Sequence, residues 1–543
     1  MVQINQVITI LIWTAQALFG VLLTSYWLQV KEYRFDRFVS FAKTGEGRKE
    51  LSLHFNLLKL ATVFLSLYYI EFFIVSIGFF IIADLIFFRQ LIKRKLRRPV
   101  FTTRGKRIVG TALILVLVVG YLFMVTDYGM LNIFFGEIII LIGPVLGVVW
   151  TQPIVNRVRR KEIAQAKEKL NKIKPIVVGI TGSYGKTTTK DFVAQILSSK
   201  YKVEKTYKNE NTDFGIARKI INNLDTKTEV FVVEMGAYRK GDISKLADMV
   251  NPSYGIITGI EQQHLDLFGS LENIKEAKYE LIASLKKGAV ALINLSNSES
   301  VSLYRKAIKN KKDIKVFGYL LKKEGLDENS NITPDLEARI IKSDIDGVTF
   351  EITDNMNKKK LFAPVKGVHF IENITGAILL ARQMGVGWRE IEKALVDIKT
   401  PDKTMKVFKL TSGATIIDDT YNATPKAFEA ALNYLSYFTN NKKIVVTRGV
   451  SELGPDSLTV HKNIGSFARG KVDVVIVSNS EVAGFIEEGI ENAGSPEVVA
   501  VNDVENIIKL VRKYLDQNAV VLFEGKIHSQ LTNYLEEVKK EMI

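Results

Sequence analysis

Hydrophobic residues follow two regimes along the chain. Over residues 1–150 they come in long unbroken runs, and from about 175 onward in short runs separated by polar segments. A helix crossing a bilayer needs about 20 apolar residues. Residues 4–28 (INQVITILIWTAQALFGVLLTSYWL), 108–126 and 130–150 meet that length, whereas 55–88 is too long for one crossing and slightly short for two. Charge decides its path. Segment 89–107 carries nine Lys or Arg and no acid, and 31–49 and the segment after 150 are also basic, while the connection Asp127-Tyr128-Gly129 is not. Cytoplasmic loops carry the excess of Lys and Arg. All three basic segments are therefore expected in the cytoplasm, which makes 55–88 a hairpin turning near Tyr69, Ile70 and Glu71. That predicts five spans and an outside N-terminus; the four-span alternative leaves 31–49 outside. Residues 4–28 lack the basic leader and small-residue cleavage pattern of a signal peptide. Glu137 lies near the outer end of its run and reads as a snorkelling interfacial residue. No set of spaced ionisable residues in the runs suggests a transporter.

Residues 151–174 are polar and helical in character, a basic linker helix. From 175 strand and helix patterns alternate: PIVVGIT, TEVFVVEMG, YGIITGI and AVALINL are strands of a mostly parallel sheet. Residues 311–365, with LEARIIKS and GVTFEIT, predict a small antiparallel insert. A second series (ATIIDD, KIVVTRG, VDVVIVSN, EVVAVND, AVVLFEG) starts near 414. The expected architecture is thus an α-helical membrane region over 1–150 with four or five helices, a linker over 151–174, an α/β P-loop domain over 175–402, and a Rossmann-like α/β domain over 403–543. The net charge of +16 sits largely beside the apolar runs, which points to anionic lipid rather than nucleic acid. With no cysteine the chain has no disulfide, thiolate metal site or cysteine nucleophile.

The chemistry concentrates in GITGSYGKTTTK, residues 179–190, between a hydrophobic strand and a helix. Gly182 and Gly185 let backbone N–H groups turn inward around phosphate oxygens, with Ser183 between them, and the helix starting at Lys186 adds its dipole. Lys186 supplies charge to the terminal phosphates, Thr187 offers a hydroxyl to Mg²⁺, and Thr188 follows it. The strict G-x-x-x-x-G-K-T spacing is not met, because Gly179 lies one residue too early. Glu234 ends the next strong strand at the same sheet edge, as an oxygen ligand for Mg²⁺ would. ITGIEQQHLDLFGSLENIKEAKYEL begins at another strand end and contains His264 and Lys278.

Taken together, these pieces resemble the Mur ligase family, and most closely its MurF branch, which adds a D-alanyl-D-alanine dipeptide to a muramoyl peptide. TGSYGKTTTK is similar to the family's T-G-[ST]-x-G-K-T-T, and NTDFGIA (211–217) to its acceptor-side N-[NT]-x-x-G. VVEMG resembles its V-x-E-x-G strand end, and HLDLFGS with EAKYEL its metal-binding segment. GVHFIENITGAI (367–378) resembles the helix near adenine, and IDDTYNATP (417–425) the D-D-x-Y-N-A-x-P motif of the MurF branch. The resemblance covers roughly 175–540.

It implies an ATP-dependent, ADP-forming amide ligase with two Mg²⁺ ions, the first held by Thr187 and Glu234, the second by His264 and a carbamylated Lys278. It places Asn373 at adenine and Asp419 at the ribose, with Asn211, Thr212, Tyr421 and Asn422 on the substrate side. Lys403-Thr404-Met405 stands where the family has a Gly-Arg element, so Lys403 or Lys406 would stand in for that arginine as a point charge. TRGVSELG (447–454) matches the family's G-x-M-x-E-L-G only loosely. The apolar runs stand where a UDP-holding domain is usual. The expected partners are a muramoyl-peptide or lipid-linked acceptor, D-Ala-D-Ala or another amino donor, and the bilayer; the expected location is the inner membrane, multi-pass, with the catalytic domains in the cytoplasm. A polymer-forming amide ligase such as a poly-γ-glutamate synthase is the alternative, and a membrane protein with a regulatory nucleotide domain a more distant one.

Overall fold

The computed structural model describes residues 2–69, 71–93, 96–126, 128–207, 210–261, 268–322, 332–354, 357–421, 423–451, 453, 456–491 and 495–541, with the backbone alone at 2–6, 46 and 541. The chain divides into two compact units, Met1–Lys161 and Glu162–Ile543.

The first unit is helical: α1 (Val2–Val30), α2 (Phe35–Lys43), α3 (Gly45–Glu50), α4 (Leu53–Leu65), α5 (Glu71–Ile92), α6 (Thr103–Val125) and the start of α7 (Gly129–Ile173). Four helices are long and apolar enough to cross a membrane, within α1, α5, α6 and α7. The stretch expected to form a hairpin breaks between Leu65 and Glu71, but α4 has only 13 residues, about 20 Å of helix. Contacts within the unit show where its ends lie. At one end the Gln29 amide pairs with the Val100 backbone, donating to its carbonyl at 3.0 Å and accepting its N–H at 2.6 Å. Arg97 there meets Glu50, and Arg104 donates to Gln152 at 2.8 Å. The three basic segments thus gather at one end of the bundle. α4 starts beside them, and Phe64 at its far end packs at a tilt against Phe134, early in α7, with ring centres 5.6 Å apart. The span and the linker expected as separate elements are one helix, α7, with Pro144 and Pro153 inside it.

Glu137 corrects the expectation made for it. It does not snorkel to the interface; it is 4% exposed in the middle of the bundle. Its Oε1 accepts from Trp13 Nε1 at 2.9 Å and Gln16 Nε2 at 2.7 Å, and its Oε2 pairs with Lys59 Nζ at 2.7 Å. Lys59 also donates to Gln16 Oε1 at 2.7 Å. A carboxylate in an apolar bundle is stable only when its oxygens are bonded and its charge is matched. Here α1 and α4 supply both. Asp84 on α5 lies close enough to Lys59 to feel its charge. Ionisable residues that looked isolated along the sequence therefore meet in space.

The second unit holds two sheets. The first has nine strands: β1 (Ile176–Thr181), β2 (Val203–Lys205), β3 (Val230–Glu234), β4 (Tyr254–Ile257), β5 (Val290–Asn294), β6 (Lys315–Lys322), β7 (Leu336–Ser343), β8 (Val348–Asp354) and β9 (Asn357–Ala363), ordered β2-β3-β1-β4-β5-β6-β7-β8-β9. β1, β3, β4 and β5 are near-continuous apolar runs, as parallel strands buried on both faces require. Three of them turn polar at their C-terminal ends, at Thr181, Glu234 and Asn294, while β2 is a short, half-buried edge strand. β6 and β7 continue the parallel run, and only β7-β8-β9 is antiparallel. The expected insert is therefore an extension of the main sheet. β1 lies between β3 and β4, where chain order reverses and ligands of open α/β sheets bind beyond the strand ends. α8 (Lys186–Leu197) follows β1 and packs on the helix His369–Gln383, with Phe192 and Phe370 edge to face at 6.2 Å. The second sheet has β10 (Lys406–Lys409), β11 (Thr415–Asp419), β12 (Lys443–Thr447), β13 (Val474–Val477), β14 (Glu497–Ala500) and β15 (Val520–Glu524) in the order β10-β11-β15-β12-β13-β14. Only β10 runs antiparallel to its neighbour.

Candidate active site

The loop between β1 and α8 is shaped by close approach. Gly185 sits at φ +75°, and a Cβ there would lie 2.5 Å from Asn373 Oδ1; one on Gly182 would collide with Thr258 Oγ1. Ser183 fastens the loop to the end of β4, its N–H donating to Gly259 O at 2.6 Å and its hydroxyl to Glu261 O at 3.0 Å. Lys186 Nζ folds back onto the loop, donating to Gly182 O at 2.8 Å and Ser183 O at 2.7 Å. Burial lowers its pKa, against the pull of Glu234. Such a lysine is held in place, not left to search for its ligand.

Glu234, at the end of β3, is the hub. Its Oε2 accepts from Thr187 Oγ1 at 2.9 Å and faces Lys190 Nζ at 3.4 Å; its Oε1 accepts from Asn211 Nδ2 at 3.3 Å. Tyr421, beyond β11, lies close to the Thr187 side chain. Lys278 is buried on the helix Leu271–Ala283, with its pKa lowered to about 7, first by burial and then by Lys186. Its neighbours therefore bring an amine that is readily neutral to the same place as Lys186 and Glu234. Among the described residues no group of three His, Cys, Asp or Glu could hold a metal alone. The two oxygens of Thr187 and Glu234 fit Mg²⁺, a hard ion that takes its remaining ligands from phosphate and water.

The remaining expected residues take the following places. Asn373 lies under the loop, its Oδ1 accepting from Thr189 Oγ1 at 3.1 Å. Thr212 caps the helix Asp213–Asn223, accepting from Gly215 N–H at 3.3 Å. Thr188 is half-buried on α8. Asp419 is 4% exposed and accepts from Met405 N–H at 3.2 Å. It lies beside the buried Glu524 in the register of β11 and β15, and burial raises both carboxyls, that of Asp419 to about 7. Lys403 and Met405 adopt φ of +58° and +47°. His264 and Asn422 lie outside the described residues.

Three contributors escaped the sequence reading. Lys190 was signalled only by its i+4 spacing from Lys186. Glu372 takes Asn294 Nδ2 at 2.5 Å and Tyr184 OH at 3.4 Å. Lys426 pairs with Glu261 at 2.6 Å and lies 5.4 Å from the Tyr184 ring, tying the helix Pro425–Leu435 to the loop.

Comparison with known proteins agrees with this geometry. The Mur ligase middle domain matches residues 180–381, and the Mur ligase glutamate ligase domain matches 405–527, together more than half of the chain. The chain belongs to the Mur ligase family, ligases that use ATP and Mg²⁺. Within it, the chain is MurF-like, an ADP-forming, ATP-dependent peptide ligase. It is 29% identical over 381 residues to the UDP-N-acetylmuramoyl-tripeptide–D-alanyl-D-alanine ligase of Bacillus subtilis (strain 168), covering 70% of this chain and 78% of that one. It is 27% identical over 351 residues to the enzyme of that name from Synechocystis, covering 64% and 71%. Among solved structures, the MurF ligase of Thermotoga maritima in complex with ADP superposes with a TM-score of 0.58 at 27% identity, over 70% of this chain and 84% of that one.

Proposed function

We propose that the chain joins D-alanyl-D-alanine to the tripeptide of UDP-N-acetylmuramoyl-tripeptide, working at the cytoplasmic face of the membrane. The observation that supports this most is the convergence of Thr187 and Glu234, from different strand ends, at 2.9 Å beside Lys186, in a chain alignable with MurF ligases over some 70% of its length.

A carboxylate is a poor acyl donor. Its oxygen attacks the γ-phosphorus of ATP, ADP leaves, and an acyl phosphate forms. The dipeptide amine then attacks the acyl carbon, inorganic phosphate leaves with the bridging oxygen, and the nitrogen gives up a proton. The first step brings anions together and needs fixed cations. Lys186 and the N–H groups of the loop at Gly182, Gly185 and Thr188 would serve the phosphates, with Ser183 fastening the loop to the end of β4; this is the P-loop reading of 179–190. Thr187 and Glu234 would hold one Mg²⁺, and His264 with a carbamylated Lys278 a second; bound Mg²⁺ neutralises charge developing on the phosphoryl group. The buried, easily neutralised amine of Lys278 supports the carbamate, since only a free amine adds CO₂. Asn373 serves the adenine side, Asp419 the ribose, and Asn211, Thr212, Tyr421 and Asn422 the substrate side. Catalysis then draws on a central domain over 175–402 and a Rossmann-like domain over 403–543 that close on each other.

Residues 1–150 are read as a multi-pass membrane region, because the three basic segments gather at one end of an apolar bundle. In chain order this region stands in the place of the domain that holds UDP in other enzymes of the class, which favours a second acceptor, the lipid-linked form of the muramoyl peptide. The test is phosphate release by the purified full chain in detergent with ATP, Mg²⁺, D-Ala-D-Ala and either acceptor. Release dependent on one acceptor supports the reading and tells the two apart; no release with either overturns it.

A further inference from the structure

Lys190 takes no part in the reaction as described. It lies one helical turn beyond Lys186, so both ammonium groups leave α8 on one face. Its side chain is 1% exposed, with Nζ 3.4 Å from Glu234 Oε2 and 3.8 Å from Asp191 Oδ1. The same Asp191 oxygen is closer to Lys205, at 2.7 Å. Glu234 Oε2 is therefore divided between the Thr187 hydroxyl and the Lys190 ammonium. Around this carboxylate stand Lys186, Lys190 and the readily neutralised Lys278 against Glu234, with Asp191 matched by Lys205, so positive charge outweighs negative in a buried setting where charges are poorly screened. A bare divalent ion approaching Glu234 meets a fixed cation already in contact with the oxygen it needs. A triphosphate reverses that balance, because it brings about four negative charges and its own metal-binding oxygens.

We infer that Lys190 makes metal binding depend on nucleotide binding: it is the resident counter-ion of Glu234, it keeps bare Mg²⁺ out, and it yields to metal arriving with a triphosphate, whose phosphates then take up its ammonium. The inference rests on the reading of Glu234 and Thr187 as metal ligands. It assigns Lys190 a positioning role, because Lys190 acts through Glu234.

The experiment measures Mn²⁺ binding to the full chain in detergent, by the resonance signal of free Mn²⁺, without and with a non-hydrolysable ATP analogue. Without nucleotide, wild type and Lys190→Arg bind weakly, and Lys190→Met binds at least about tenfold more tightly, because a buried charge in contact with the ligand oxygen is gone. With the analogue the gap closes to about threefold or less, since the phosphates now dominate the local charge. A Lys190→Met chain that binds Mn²⁺ no more tightly than wild type, or whose gain is undiminished by nucleotide, overturns the inference. If Lys190→Met does not fold, Lys190→Gln carries the same comparison. Adding Glu234→Gln must abolish the gain. Tight Mn²⁺ binding that survives that second change shows instead that the metal ligands lie elsewhere, which is a failure of the site reading and not of the electrostatics.

Discussion

Removing Lys59 while leaving Glu137 is the change the helical unit should tolerate least. Both side chains are at most 5% exposed and pair at 2.7 Å. The carboxylate would keep Trp13 and Gln16 as donors but lose its matching charge. Removing one partner of a buried ion pair costs about 3–5 kcal/mol, whereas a single hydrogen bond between membrane helices averages only about 0.6 kcal/mol. Lys59→Met should therefore destabilise the unit by roughly 3–5 kcal/mol. Glu137→Gln should cost a similar amount, since it leaves the ammonium with Gln16 Oε1 and only the more distant charge of Asp84. The double variant has no charge at either 59 or 137, and the amide oxygen of Gln at 137 can still accept from Trp13 and Gln16. It should lie within about 1–2 kcal/mol of wild type, a coupling of about 3 kcal/mol or more. Unfolding of the full chain by detergent titration in mixed micelles reads these differences. A double variant as unstable as the sum of the singles, or a Lys59→Met costing less than about 1 kcal/mol, would refute the claim that these groups form one charge-matched cluster.

Other consequences are open to quick checks. Gly185→Ala puts a Cβ 2.5 Å from Asn373 Oδ1 on a residue at φ +75°, costing about 1–2 kcal/mol in backbone alone; nucleotide affinity should fall about tenfold or more, and unchanged affinity would mean the loop does not face the nucleotide. Lys278 titrates near pH 7 because burial and Lys186 disfavour its charged form. The neutral amine therefore gains as pH rises through 7, and a carbamate signal from ¹³C-bicarbonate should be present at pH 8 and lost at pH 6. The Lys278→Ala chain should lack that signal and recover part of its phosphate release with added acetate; full activity without rescue would remove the lysine from the mechanism. A reporter fused near Gly45 should read cytoplasmic, and an outside reading would turn α1 over and leave the basic segments without a common side.

The parts of this protein that were legible in its sequence are those written locally. The run VVGIT before GKTT marks a strand feeding a loop and helix, and VVEMG marks the strand end that delivers Glu234 to the same edge, because parallel strands buried on both faces are continuous apolar runs. Periodicity does not report what meets across distance. Trp13 and Gln16 lie 124 and 121 residues from Glu137, so a carboxylate that is fully bonded in the folded bundle looked like a lone interfacial acid. Asp419 and Glu524 become neighbours only through the pairing of β11 with β15, and nothing near DDTYN signals that its second aspartate is buried against another carboxyl. Lys190 was within reach: TTTK places it one turn from Lys186, but its partner Glu234 is 44 residues away. Single residues between hydrophobic runs were the weakest ground, and β6 to β9 show the same limit for strands, since alternation alone does not say which neighbour a strand joins.

The central claim is that this chain activates a carboxylate as an acyl phosphate on the surface built by Lys186, Thr187 and Glu234. It is tested most directly with muramoyl tripeptide carrying ¹⁸O in its reacting carboxylate, incubated with the full chain, ATP, Mg²⁺ and D-Ala-D-Ala, and with the released phosphate analysed by mass. One ¹⁸O should appear in each phosphate released, with the other retained in the new amide. Phosphate free of label, with ATP consumed, would contradict the account.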